Sequence, residues 1–186
     1  VLQGGADEPY YVPGQPSCIY FRADYARSAL HEVAHWCVAG VRRRRFPDYG
    51  YWYSPDGRDA AQQAAFFAVE ARPQAIEAAF CEACGVDFSP SVDNVGADIP
   101  AEQLIAFEMR IADWSKVFRD RGLPSRAARF LSGLELDARP PAPHRHHLSL
   151  SLSPCLASIL SGAAKTRVLA VAMIMVKTGT LHPMAT

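Results

Sequence analysis

The chain has 186 residues, enough for one domain of ordinary size, and its 49% apolar content supplies a core, which excludes a disordered or fibrous protein. Nineteen Lys and Arg balance nineteen Asp and Glu, so no net cationic field draws the whole molecule to nucleic acid or membrane. The balance is uneven along the chain: every acid lies at or before Asp137, and residues 138–186 carry five bases and no acid.

Five cysteines at irregular spacing in a chain of this length read as reduced thiols, hence a cytoplasmic setting, and no secretory leader opens the sequence. The longest wholly apolar run, Val168 to Val176, is nine residues, whereas a spanning helix needs about 20, so no membrane association is expected. With Val1 in place of Met as the first residue, a fragment whose start lies upstream is the expectation.

Taken in chain order, Gly4-Gly5, Pro9, Pro13 and Pro16 predict turns leading into a short strand at Cys18-Ile19-Tyr20-Phe21. Asp24 offers an N-cap. From Tyr25 to Ala39 the residues Ala26, Leu30, Val33, Ala34, Cys37 and Val38 recur at helical spacing, and Gly40 supplies a stop. Arg42 to Pro47 read as a basic turn, and Tyr49-Gly50-Tyr51-Trp52-Tyr53 as an aromatic strand ending at the turn Pro55-Asp56-Gly57.

A second helix is expected from near Asp59, with Pro73 kinking or restarting it and Gly85 closing it after Cys84. Asp87 to Pro100 read as loop, followed by helices from Pro100 to Arg121 and from Pro124 to about Leu134. The fold class is therefore α+β, a helix-rich single domain over 1–137 with a small sheet. Residues 138–186, with their prolines, clustered histidines and alternating Leu and Ser, form a low-complexity tail of foreign composition, to which no function is assigned.

Chemistry concentrates in His31-Glu32-Val33-Ala34-His35, an HExxH motif inside the first helix. At i and i+4 two imidazoles leave one helix face one turn apart and can share a metal ion. A third ligand is needed, and the carboxylates that follow are Asp48, Asp56, Asp59, Glu70 and Glu77. Glu70 is preferred, because its neighbours Phe66, Phe67 and Val69 mark a buried helix, where a carboxylate is costly unless paired or metal-bound. Asp59 reads as an N-cap and Asp56 as a turn residue.

Two histidines and one carboxylate suit a catalytic zinc with a water ligand and, equally, a non-haem Fe(II) centre with open positions. In a zinc peptidase Glu32 would be the general base. Val38 and Val41 stand where the extended HExxHxxGxxH form needs Gly and His, which excludes that branch. The pair Cys81 and Cys84 has no second CxxC to complete a zinc site.

The runs from His31 to Gly40, from Asp48 to Asp59 and from Val69 to Ala75, with Asp7-Glu8-Pro9-Tyr10, Asp93-Asn94 and Pro124 to Phe130, resemble the bacterial elongation factor P hydroxylase family over roughly residues 3 to 135. The resemblance implies a fold like that of HExxH metallopeptidases, put to oxidative use. It implies an iron-dependent monooxygenase that takes dioxygen as cosubstrate and hydroxylates the lysyl-extended lysine of elongation factor P. Carried over, the iron ligands are His31, His35 and Glu70, with Glu32 kept beside them to orient a ligand or accept a proton.

A cationic lysine substrate calls for acids at the entrance, and Asp56, Asp59 and Asp93 are the candidates. Tyr51 and Tyr53, in the aromatic run with Tyr49 and Trp52, are candidates for cation–π contact with its ammonium. Arg42 to Arg45 can meet an acidic patch on the partner, although a solvated turn is their ordinary role, and no direct nucleic-acid binding is expected. A zinc peptidase, or a metal-stabilised binding module without catalysis, remains the alternative, though a peptidase leaves the Tyr49 to Asp59 segment unexplained and a structural metal needs a closed fourth ligand.

Overall fold

Close backbone approach shapes the first element. A Cβ on Gly4 would lie 2.7 Å from the Ala23 carbonyl oxygen and 2.9 Å from the Phe21 ring, so only glycine fits there. A computed structural model of the chain describes residues 1–51, 57–94 and 96–137, with side chains through Glu135. In it β1 (Leu2–Ala6) pairs parallel with β3 (Cys18–Arg22), and β2 (Tyr10–Val12) pairs antiparallel with β3, giving the order β1-β3-β2. The predicted strand at Cys18 is thus the centre of a three-stranded sheet. The other two strands lie where glycines and prolines predict turns.

The first helix, α1 (Ala26–Val38), buries Ala29, Leu30, Val33, Ala34 and Cys37 along one stripe. Its N-cap is Tyr25, one residue after the expected Asp24, and no side chain caps it. The helix stops without using Gly40. Arg44 donates to the Ala39 carbonyl at 2.7 Å, and Arg126 donates to the carbonyls of Cys37, at 2.9 Å, and of Ala39. Cations at the carbonyl end of a helix favour its dipole. Both guanidiniums also lie over the Trp36 ring, so part of the expected solvated basic turn is built into the fold.

The aromatic strand expected from Tyr49 is not formed where the chain is described. Residues Pro47–Gly50 make a 3-10 turn instead, with Asp48, Tyr49 and Gly50 all at positive φ. The cause is tertiary. Asp48 Oδ1 accepts the Tyr11 N–H at 2.7 Å and the Tyr49 ring stacks on Tyr11 at 4.4 Å, which holds this turn against β2. Residues 52–56, the rest of the expected strand and its closing turn, lie outside the described residues.

Helix α2 (Ala60–Cys84) starts at the expected cap: Asp59 Oδ1 accepts the Gln62 N–H at 2.8 Å, and Gln62 Oε1 accepts the Asp59 N–H at 3.0 Å. It ends at Gly85, which takes the left-handed conformation with φ 65°. Pro73 lies inside one continuous helix and so does not restart it. The lost N–H costs a hydrogen bond, but Ala71, Ala75 and Ile76 are buried on both sides of it and packing holds the helix together.

Helices α3 (Ala101–Arg121) and α4 (Ser125–Asp137) complete the described fold, an α+β arrangement of four helices and a small sheet. One core joins the sheet, α1, the later part of α2 and α4 through Ile19, Phe21, Leu30, Ile76, Phe80, Phe130 and Leu134. A second lies between α2 and α3, where Phe67 stacks on Phe107 at 4.2 Å. The α1–α2 contact that these cores fix carries the chemistry.

Candidate metal centre

Helical spacing puts His31 and His35 on the edge of α1 that faces α2, beside the buried stripe of Leu30, Ala34 and Cys37. Their rings meet edge to face with centroids 4.7 Å apart, and the two Nε2 atoms are 3.0 Å from each other. From α2, Glu70 brings Oε1 to 3.3 Å from His35 Nε2 and Oε2 to 3.6 Å from His31 Nε2. One donor atom from each of the three residues lies within 4.8 Å of the other two, and this group could hold a metal ion. Ligands about 2.1 Å from a shared ion and at right angles to one another stand about 3.0 Å apart, so the spacing suits coordination.

Two further observations match the donor set to a cation. Glu70 is 7% exposed, and its Oε2 is buried with no hydrogen-bond partner, an arrangement that costs free energy unless a cation sits against it. Facing Nε2 lone pairs repel unless a proton or a metal ion lies between them. Together these place an unmet demand for positive charge at one point.

The titration directions agree. Burial works against a charged His31, yet the hydrogen bond to Glu77 and the charges of Glu70, Glu77 and Glu32 overcome it and lift His31 to about 10. Burial would likewise raise Glu70, but the facing imidazoles of His35 and His31, with Gln74, pull it down to about 2. Burial pushes the Glu32 carboxyl up against the pull of the two imidazoles. The pocket therefore binds a proton tightly where it could bind a metal.

Glu77 lies seven residues after Glu70 on α2, two turns along the same face, and is 2% exposed. From its position in the chain Glu77 is a candidate ligand. His31 Nδ1 instead donates to its Oε2 at 2.8 Å, so Glu77 sits on the opposite ring edge from Nε2 and is outside the donor set. A carboxylate accepts and does not donate, so Nδ1 carries a proton in either charge state, and Nε2, which faces Glu70 and His35, is the nitrogen whose proton a metal ion would replace. The i, i+7 relation between the glutamates was the available signal.

The remaining candidates take other places. Asp48 is engaged with the Tyr11 backbone and Asp59 with its capping box. Asp93 has φ 45°, and its carbonyl accepts from Arg58. Tyr51 is exposed, with the Arg43 guanidinium 4.0 Å from its ring centre, so the residue's own cation already covers one face. Tyr53 and Asp56 lie outside the described residues. Cys81 and Cys84 are buried, and burial pushes the Cys81 thiol up to about 12, which leaves it little thiolate for chemistry.

A family model described as elongation factor P hydroxylase matches residues 1–143. The chain belongs to that family. It is also 41% identical over 130 residues to the elongation factor P lysine hydroxylase of Haemophilus influenzae, a match covering 68% of this chain and 72% of that relative. All three donors, Glu32 and Glu77 fall within the span matched to the elongation factor P hydroxylase family. Among the described residues no helix is long and apolar enough to cross a membrane.

Proposed function

We propose that this protein hydroxylates elongation factor P, on the lysine that carries an added lysyl group, and does so with Fe(II) held by His31, His35 and Glu70. The observation that supports it most is the convergence of two imidazole Nε2 atoms and a buried, unpartnered carboxylate oxygen in a member of this family. Residues 1–137 would form the hydroxylase domain, and a translation factor as substrate implies the cytoplasm and contact with protein in preference to nucleic acid.

Bound there, ferrous iron would supply the activation of dioxygen by which one oxygen atom enters an unreactive C–H bond while the other leaves as water, with two electrons drawn from an external reductant. The chain's own part is positional and electrostatic. His31, His35 and Glu70 would hold the ion, and the part-exposed imidazoles would leave it within reach of substrate and dioxygen. Glu70, held ionised, neutralises much of the ion's charge, and the Nδ1–H bond to Glu77 fixes the His31 tautomer. Glu32, one residue from His31 and biased by burial toward its protonated form, is suited to hold or release a proton at its carboxyl beside the ligands. The likeness to HExxH peptidases would then be one of ligand arrangement, with two histidines on one helix and a glutamate on the next.

The test is the mass of lysyl-extended elongation factor P after incubation with the protein, Fe(II) and oxygen, beside His31→Ala and Glu70→Ala controls. A gain of one oxygen atom, absent from both controls, is expected. No gain in any sample, together with zinc-dependent peptide cleavage, would overturn the proposal in favour of a zinc peptidase. Full metal occupancy in Glu70→Ala, with loss in Asp59→Ala, would remove Glu70 from the ligand set.

A further inference from the structure

The buried carboxylate on the far side of His31 has neighbours of its own. Glu77 Oε2 receives the His31 Nδ1 proton, and Glu77 Oε1 lies 3.5 Å from Arg27 Nη2. Arg27 is itself fixed: Nη1 donates to Ser89 Oγ at 2.9 Å, Nη2 donates to the Ser89 carbonyl, and its guanidinium lies 5.9 Å from the Phe88 ring centre. The chain of contacts runs from the segment after α2, through Arg27 on α1 and Glu77 on α2, to the ring of His31.

Burying the Glu77 carboxylate, with only a part-exposed guanidinium beside it, has a cost that an apolar side chain would avoid, so core filling gives no reason for the choice. Orientation does. An imidazole held only by its Cβ rotates about two bonds, whereas one held also at Nδ1 has its Nε2 lone pair aimed. No corresponding bond at His35 Nδ1 is seen among the described residues, so His31 is the anchored member of the pair. Glu70 and Glu77 are rigidly related by two turns of a single helix, so the donor and the orienting group move together.

We infer that Glu77, held by Arg27, is a positioning residue that fixes the ring of His31 and raises the affinity of the centre for its metal ion. This rests on the reading that His31 is a metal ligand. A carboxylate on the outer nitrogen makes the imidazole a better donor and removes the rotational freedom lost on binding, and such partners are worth about 10–100-fold in metal affinity.

The experiment is an anaerobic titration of the metal-free protein with Co(II), an air-stable stand-in for Fe(II), read by its visible absorption, with circular dichroism confirming the fold of each variant. Wild type should bind and His31→Ala should not. Glu77→Gln, of the same shape but uncharged, should bind about 10–100-fold more weakly with a shifted cobalt spectrum. Arg27→Gln, at a partly exposed position, should weaken binding by about threefold while leaving Glu77 in place. A folded Glu77→Gln protein with parental affinity and spectrum would overturn the positioning role while leaving the metal centre standing. If Glu77→Gln does not fold, parental affinity in Arg27→Gln overturns the role just as well. Wild type that binds no cobalt would overturn the metal centre and this inference together.

Discussion

Helix α2 packs on two neighbours in opposite ways. Against α3 it presents Phe67, Ala71 and Ala75 to Phe107 and Ile111, an apolar seam flanked by Arg72 lying over Trp114. Against α1 it presents Glu70 and Glu77 to His31 and His35, a buried seam of ionisable groups. Adjacent residues, Glu70 and Ala71, thus belong to different worlds. The first seam stabilises by removing hydrocarbon from water. The second removes charges from water and recovers the cost only through mutual pairing and a cation, so it is selected by what it binds. A rigid apolar seam alongside is what lets the charged one keep ligand atoms at fixed distances.

The largest expected break of this division comes from truncating the apolar seam. Phe107 is fully buried and stacked on Phe67, so Phe107→Ala should lower the unfolding free energy by about 3–5 kcal/mol, measured by chemical denaturation. Below the unfolding transition its cobalt affinity should stay within about twofold of wild type, since no donor atom rests on that ring. A loss of affinity as large as that of Glu77→Gln would show the two seams to be one unit.

The helices and the donor triad were legible because their signals are local. The stripe from Ala29 to Cys37, the Asp59 cap and the Gly85 stop each lie within one element, and HExxH has meaning only once α1 is recognised. What was missed depends on pairing between distant segments. β1 carries Gly4 and Gly5, which read as a turn until the approach of Phe21 and Ala23 explains them. The turn at Asp48 and Tyr49 is left-handed because β2 holds it, and alternating aromatics cannot reveal that. Glu77 was visible as an acid, but only the way α1 packs against α2 decides that it meets Nδ1 and not Nε2.

A second, smaller effect separates the seams by pH. His31 has its affinity for a proton raised from 6.5 to about 10, so in the metal-free protein its stabilising contribution is complete below 6.5 and is lost as pH rises toward about 10. Stability of the metal-free protein should therefore fall as pH rises across that window. Burial would raise Glu70, but the facing imidazoles hold it down, so its contribution persists until pH falls from 4.5 toward about 2 and leaves this window untouched. Saturating metal replaces the proton on His31, and the loaded protein should show a nearly flat profile over the same range. The deficit of Phe107→Ala should be the same at both ends of the window. A metal-free protein equally stable at both ends would mean that His31 carries no bound proton.

The smallest effect tests the start of the shared helix. Asp59→Ala removes the side-chain acceptor for the Gln62 N–H, and loss of such a cap costs about 1 kcal/mol. The cap lies 11 residues before Glu70, three turns along α2, and Phe67 packs on Phe107 between them. Fraying at the cap should therefore stop at that ring and leave cobalt affinity unchanged. If Asp59→Ala instead weakens cobalt binding by tenfold while its stability falls by only the expected amount, the aspartate acts on the centre directly. Asp59 would then return to the candidates for the cationic substrate or its metal, and the division of α2 between a binding seam and a stabilising one would have to be redrawn from its first turn.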